Sequence, residues 1–152
     1  MTKEELKTEI SVLLPATIFE EGAEWMTIQV DANDWLPSAR LLKDSPNLSF
    51  DYLFCLTCID FKTHLTMVYH LRSRNSRLNM VVKSKLDPEH PSIESVAGIW
   101  RTADFNEREV YEMFGVDFKH HPDLRLLILP DGWEGKNPLR KDFEDPVNMI
   151  KL

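Results

Sequence analysis

Three groups of residues in this chain are of types that do chemistry. Glu107, Arg108, Glu109 and Glu112 fall close together in "EREVYEMFGVDF", residues 107–118. Clustered carboxylates can serve general acid/base catalysis, hold a metal, or form a charged docking surface. Cys55 and Cys58 form a Cys-x-x-Cys pair, the spacing of a redox couple or of half a zinc site. His120-His121-Pro122-Asp123 offers imidazoles beside a carboxylate, again suited to a metal or to proton transfer.

Each group has a plainer reading. The cysteines have no second pair and no His pair at finger spacing, and "FDYLFCLTCIDF" reads as a buried strand. Residues three apart on a strand point to opposite faces, so these are expected to be structural thiols. Adjacent histidines rarely chelate one ion without further ligands, so His120 and His121 are expected to cap or hydrogen-bond. Glu109 and Glu112 share a helical face with no His or Cys on the same turn. No phosphate loop, Walker motif or nucleophile elbow occurs.

The elements that must position these residues follow from periodicity. Thr2 and Glu5 fit a capping box for a helix over 2–14, stopped by Pro15. "EWMTIQVD" (24–31) reads as a strand. Asn33 or Asp34 can N-cap a helix that ends before Pro46. Residues 50–59 are apolar on both faces, as in a central strand, and 64–71 with 78–86 form a hairpin around "RSRNSR". Pro91 would open a short helix through "SIESVAGIW". The fold class is therefore α+β, a mostly antiparallel sheet with flanking helices.

The carboxylate cluster lies on the next helix. Asp104 as N-cap, Glu107 as its capping-box partner and Gly115 after the last turn bound it at Phe105–Phe114. On a helical wheel Val110, Tyr111, Met113 and Phe114 cover one arc; Arg108, Glu109 and Glu112 lie opposite, with Arg108 and Glu112 able to pair at i,i+4. Glu107 projects between Tyr111 and Phe114 and should be shielded and hydrogen-bonded. Its partner could be the cap, an arginine (Arg101, Arg125 or Arg140), or a substrate if it is a general acid/base.

After Gly115 the chain carries prolines at 122, 130, 138 and 146, and nothing past Pro130 has a helical or alternating period. Its apolar residues, among them Leu127, Trp133, Leu139 and Phe143, are too many for disorder. Residues 1–115 are read as an α+β domain, and 116–152 as an extended C-terminal arm of the same unit that wraps a surface, its own or a partner's. Trp133, Arg125 and Arg140 are of the types that anchor interfaces.

Bulk composition narrows the classes. A length of 152 residues suits one domain with an adequate core, and 43% apolar residues with eight Phe and four Trp argue against general disorder. A net charge of −7 argues against nucleic-acid binding by the chain as a whole. Residues 61–86 are the exception, with six Lys/Arg and no acid. No apolar run reaches a membrane span, and the N-terminus lacks the basic region of a signal peptide. A cytosolic chain, or one held at a membrane only through partners, is expected.

Two stretches together carry a resemblance. Glu107-Arg108-Glu109, Glu112, Met113-Phe114-Gly115, His121-Pro122-Asp123-Leu124-Arg125, Trp133-Glu134-Gly135 and Pro138-Leu139-Arg140-Lys141-Asp142 closely resemble the C-type (30 kDa) family of respiratory complex I subunits. His120 and Asn137 depart from that family's usual Gly and His. The resemblance implies a cofactor-free, non-catalytic subunit of the peripheral arm of a proton-translocating NADH:quinone oxidoreductase. It implies docking on the large D-type (49 kDa-like) subunit and nearby iron–sulfur subunits, on the cytoplasmic side of the plasma membrane. NADH, FMN, iron–sulfur clusters and quinone then belong to the assembly. The chain ends ten residues after Asp142, which suggests that it is not fused to a D-type subunit. Equivalent subunits of photosynthetic NDH-type complexes or membrane-bound [NiFe] hydrogenases are the alternative assemblies. The alternative of another class is a free-standing α+β enzyme using Glu107, His120 and His121.

Overall fold

The computed structural model describes residues 1–149. Helix α1 (Lys3–Leu13) starts at the expected capping box: the Glu5 N–H donates to the Thr2 hydroxyl and the Thr2 N–H to the Glu5 carboxylate. Strands β1 (Ile18–Glu20) and β2 (Met26–Gln29) follow. A 3-10 turn over Ala32–Asp34 leads into α2 (Trp35–Asp44). Asp34 stands at the N-cap of α2, as expected, but makes no side-chain capping bond; the 3-10 turn before it is capped by Asp31, whose carboxylate accepts from the Asn33 N–H.

Strands β3 (Tyr52–Asp60), β4 (Leu65–Arg72) and β5 (Asn79–Leu86) form an antiparallel meander. The five-stranded sheet runs β1-β2-β5-β4-β3, antiparallel except for the parallel pair β2–β5. The fold is thus α+β with a mostly antiparallel sheet, as the sequence indicates. The expected central strand over 50–59 is nevertheless an edge strand. Its outward residues Tyr52 and Ile59 are exposed, and the parallel β2–β5 pairing, which no local period encodes, fills the middle of the sheet.

The expected helix at Pro91 does not form. Ser92–Glu94 is instead β6, parallel to β7 (Asp117–Lys119), with Ile93 and Phe118 buried. Burial of those two residues outweighs the local preference for a turn of helix. Helix α3 (Ala103–Phe114) starts earlier than the sequence suggested, with Thr102 at its N-cap, so no Asp104–Glu107 capping box exists. Gly115 ends it at φ 76°, in the left-handed region that glycine tolerates.

All three α-helices bury their apolar stripes in one core. Leu6 and Ile10 of α1, Trp35, Ala39 and Leu42 of α2, and Val110 and Phe114 of α3 share it with Ile28, Tyr69, Met80 and Val82 of the sheet. Each large apolar side chain among them contributes about 1.5–3 kcal/mol. From residue 120 to 149 the chain has neither helix nor strand.

Candidate subunit-docking site

The site is built on α3, and its polar face is not in water. Arg108 and Glu112, placed opposite the apolar arc by their helical spacing, are only 6% and 1% exposed. No ion pair joins them. Each instead holds the backbone of the arm. The Arg108 guanidinium donates to the carbonyls of Arg125 (Nε, 3.1 Å) and Leu126 (Nη2, 2.6 Å). The Glu112 carboxylate accepts from three successive N–H groups, those of Leu127 (2.9 Å), Ile128 (2.9 Å) and Leu129 (3.2 Å). Three consecutive N–H groups converging on one carboxylate form an anion nest. A cation on the carbonyls and an anion on the N–H groups satisfy a strand-less backbone that would otherwise need a ladder. Glu109, the third charge of this face, remains exposed.

Glu107 is fully enclosed. Its partners are neither a cap nor an arginine: the Ser95 hydroxyl donates to Oε2 (2.6 Å) and the Val96 N–H to Oε1 (2.8 Å). Arg101 is exposed, Arg125 turns outward to Asp123, and Arg140 lies elsewhere, so no arginine reaches it. Burial pushes its carboxyl up to about 7, against the pull of the two hydrogen bonds. His121 stands 3.9 Å away, its ring wholly buried. Its Nδ1 accepts from the Asp123 N–H (3.0 Å), which leaves Nε2 to donate to the Asp104 carbonyl (3.0 Å). His120, at φ 63°, meets Glu94 on the surface. Glu107, His120 and His121 therefore do not converge on a space where a substrate could sit. A cavity of about 690 Å³ is bounded by Trp133, Lys136, Arg140 and Phe143 and reaches none of them. Among the described residues no group of three or more His, Cys, Asp or Glu is placed to hold a metal ion. Cys58 is buried and Cys55 half-buried, both as free thiols.

The far end of the arm is tied as firmly as the near end. Arg140, only 14% exposed, donates to the Phe114 carbonyl at the end of α3 (3.3 Å), to the Pro88 carbonyl (2.8 Å) and to Asp142. A cation at a helix C-terminus also meets the negative end of the helix dipole. The charge-assisted bonds expected of Arg140 toward a partner are thus made within the chain, because the arm folds back over the end of α3. The Leu139 N–H reaches the Met113 carbonyl, and the Lys141 N–H the Asp60 carboxylate (2.8 Å). Burial acts to raise Asp60, but the N–H groups of Lys141 and Lys62 and the nearby Arg140 charge outweigh it and hold the carboxyl low. Asn137 lies directly over Gly115: a Cβ there would sit 2.5 Å from Asn137 Nδ2. Asp123, Lys141 and Asp142 are exposed, Pro122 and Pro138 are half-buried or more open, and Trp133 is half-buried with Lys136 Nζ 4.6 Å from its ring.

Asp60, Ser95 and Asp104 complete this arrangement, and the sequence did not single them out for it. Asp60 left a trace, as an acid ending an apolar strand; Ser95 left none, since its bond to Glu107 spans unrelated segments. Among the charged residues that the arm exposes, large apolar side chains also face outward: Ile128 is 63%, Leu139 56% and Val147 87% exposed.

Comparison with known proteins gives the family. The family model "Respiratory-chain NADH dehydrogenase, 30 Kd subunit" matches residues 28–147. The C/D subunit of NADH-quinone oxidoreductase from Phocaeicola vulgatus is 42% identical over 74% of this chain, which spans 22% of that relative. The C-type subunit of the same enzyme from Chlorobium phaeobacteroides is 41% identical over 76% of this chain and 70% of its own length. The corresponding C-type subunit of F(420)H(2) dehydrogenase from Methanosarcina mazei is 37% identical over 86% of this chain and 84% of its own. A chain of the membrane-bound sulfane sulfur reductase, an archaeal respiratory membrane complex, superposes with a TM-score of 0.81 at 27% identity, covering 93% of this chain and 85% of that one. The Nqo5 trypsin-resistant fragment shares the fold, with a TM-score of 0.68 over 82% of this chain and all of the fragment. With the family match running through body and arm alike, the chain belongs to the 30 kDa, C-type subunit family of the respiratory-chain NADH dehydrogenases.

Proposed function

We propose that the chain is a non-catalytic docking subunit of the peripheral arm of a proton-translocating NADH:quinone oxidoreductase, seated on a D-type subunit beside iron–sulfur subunits. The observation that carries this reading is the fused relative. In the Phocaeicola vulgatus protein, named as a joint C/D subunit, the matching segment is 22% of a single longer polypeptide. Fusion keeps two segments at high effective concentration, which is useful when they work in contact. The arm supports the reading: its backbone is fixed on α3 while Ile128, Leu139 and Val147 point outward. Among the described residues no helix is long and apolar enough to cross a membrane. Membrane association on the cytoplasmic side would come through the complex, and NADH, FMN, clusters and quinone would bind other subunits.

A second reading concerns the electron donor. Relatives are named for NADH and F(420)H(2), which are electron donors, and for a sulfane sulfur reductase, whose sulfur is an acceptor, so one scaffold accompanies different redox partners. An equivalent subunit of a photosynthetic NDH-type complex or a membrane-bound [NiFe] hydrogenase would fit the same surface.

The test is purification of the assembly through a tag on this chain, with the full sequence and with a truncation after Pro130. The full chain should bring down a D-type subunit and iron–sulfur subunits, with the flavin-bearing or other donor subunit naming the assembly. The truncated chain should remain folded and bring down neither. Normal assembly of the truncation would remove the arm from the docking role.

A further inference from the structure

The sheet is covered by helices on one face only, and the other face has an order of its own. Register aligns outward residues into rows across the strands. In one row Asn79 faces Arg72, which faces Tyr52, while the Met26–Met80 pairing sets Trp25 beside Asn79. Phe54, at the irregularity in β3, closes over this row, its ring 6.0 Å from Trp25 and 5.6 Å from His70. Tyr52 is left 42% exposed at its edge. At the other end of the same face, Ile59 and Phe61 are 41% and 50% exposed beside Lys83 and Lys85. A shallow groove of about 130 Å³ lies between them.

The charge of this face opposes that of the molecule. The chain carries −7 overall, yet residues 61–86 contain no acid. Two of their six cations are answered from outside, Lys83 by Glu20 and Arg74 by Asp51. Among the described residues Arg72, Arg77 and Lys85 form no ion pair; Glu20, bound to Lys83, also attracts Lys85 from a longer distance.

We propose that this outer sheet face binds an acidic, extended segment of a neighbouring protein subunit. Its carboxylates would sit on Arg72, Arg77 and Lys85, and its chain would lie over Tyr52 and Phe54. From Arg72 to Thr66 the face is roughly 20 Å long at strand spacing, enough for about six extended residues. The net −7 of the whole chain repels a polyanion as dense as nucleic acid. The face is separate from the arm, which lies on α3 and at the Asp60 end of β3, so this contact is additional to the docking proposed above.

The test is zero-length carbodiimide coupling of carboxyl to amine in the assembly purified through a tag on this chain, read by peptide mass spectrometry. Lys85 should couple to an Asp or Glu of another subunit. The Arg72→Glu, Arg77→Glu double variant, and the milder Arg72→Gln, Arg77→Gln pair, should lower that yield severalfold and make the subunit leave the complex at lower salt. Arg40→Glu, on α2, should change neither. The proposal is overturned if the other subunits co-purify but Lys85 couples only within the chain or stays open to acetylation. Coupling to a second copy of this chain, loss of the signal on nuclease treatment, or binding of the full chain to phosphatidylglycerol vesicles through Arg72 and Arg77 would each overturn it too. A preparation with no other subunit at all would defeat the docking reading along with it.

Discussion

Glu107 is a carboxylate set in the core between α3 and the 95–96 loop, and burial raises its carboxyl to about 7. The sign of the resulting pH dependence follows from proton counts. Between about 4.5 and about 7 the folded state keeps a proton that the unfolded state has lost, so stability falls as pH rises through that window. Above about 7 both states are ionised and the curve levels. The shift corresponds to roughly 3 kcal/mol. Urea unfolding from pH 4.5 to 8 should show the decline, and Glu107→Gln, which keeps an acceptor for the Val96 N–H, should flatten it. An unchanged pH profile in the variant would place the titration elsewhere. Gly115 makes a second residue-scale case. Gly115→Ala meets a left-handed backbone, worth about 1–2 kcal/mol, and the Asn137 side chain 2.5 Å from the new Cβ. Adding Asn137→Gly should relieve the clash but not the backbone strain, so thermal unfolding of the pair should fall between the wild type and Gly115→Ala.

Helix α3 is the element in which sequence period and tertiary role part. Its apolar arc is legible at 100° per residue, and Val110 and Phe114 are buried as that arc requires. Its charged arc also reads correctly as a face, but the face is roofed by residues 125–129 and not by water. Two buried, opposite charges satisfied by backbone dipoles form a clamp whose loss is local. Glu112→Gln replaces one acceptor oxygen by a donor facing N–H groups and should cost about 2–3 kcal/mol. Amide exchange at Leu127, Ile128 and Leu129 should accelerate while that of β4 and β5 stays slow. Equal acceleration in the sheet would mean that the arm is part of the core and not a layer held on it.

At the scale of the whole molecule, one core is sealed by three helices, and the thiols report on it. Burial pushes the Cys58 thiol up to about 12, with the Asp60 charge adding to the effect and Arg140 opposing it. Native protein at pH 8 should therefore alkylate at Cys55 and spare Cys58 until it unfolds; rapid modification of both would mean that β3 opens in the native state. The opposite facing of the two cysteines leaves no redox couple. Exposed large apolar residues occur on the arm (Ile128, Leu139, Val147) and on the open face of the sheet (Tyr52, Ile59, Phe61), and singly on the helices (Val12, Leu41, Phe105).

Local pattern is enough to read the α+β class, α1 with its capping box, the β4–β5 hairpin, the stop at Gly115 and the family motif. All but the motif rest on periods, caps and turn residues within about a dozen positions of one another. Tertiary structure alone decided that β3 lies at an edge, that Ser92–Glu94 is a strand, that Glu107 bonds to Ser95 and Val96, and that Arg108, Glu112 and Arg140 face inward. The physical reason is the same in each case. The partner that satisfies the backbone or the charge comes from a distant segment, and no local pattern states where a distant segment will lie.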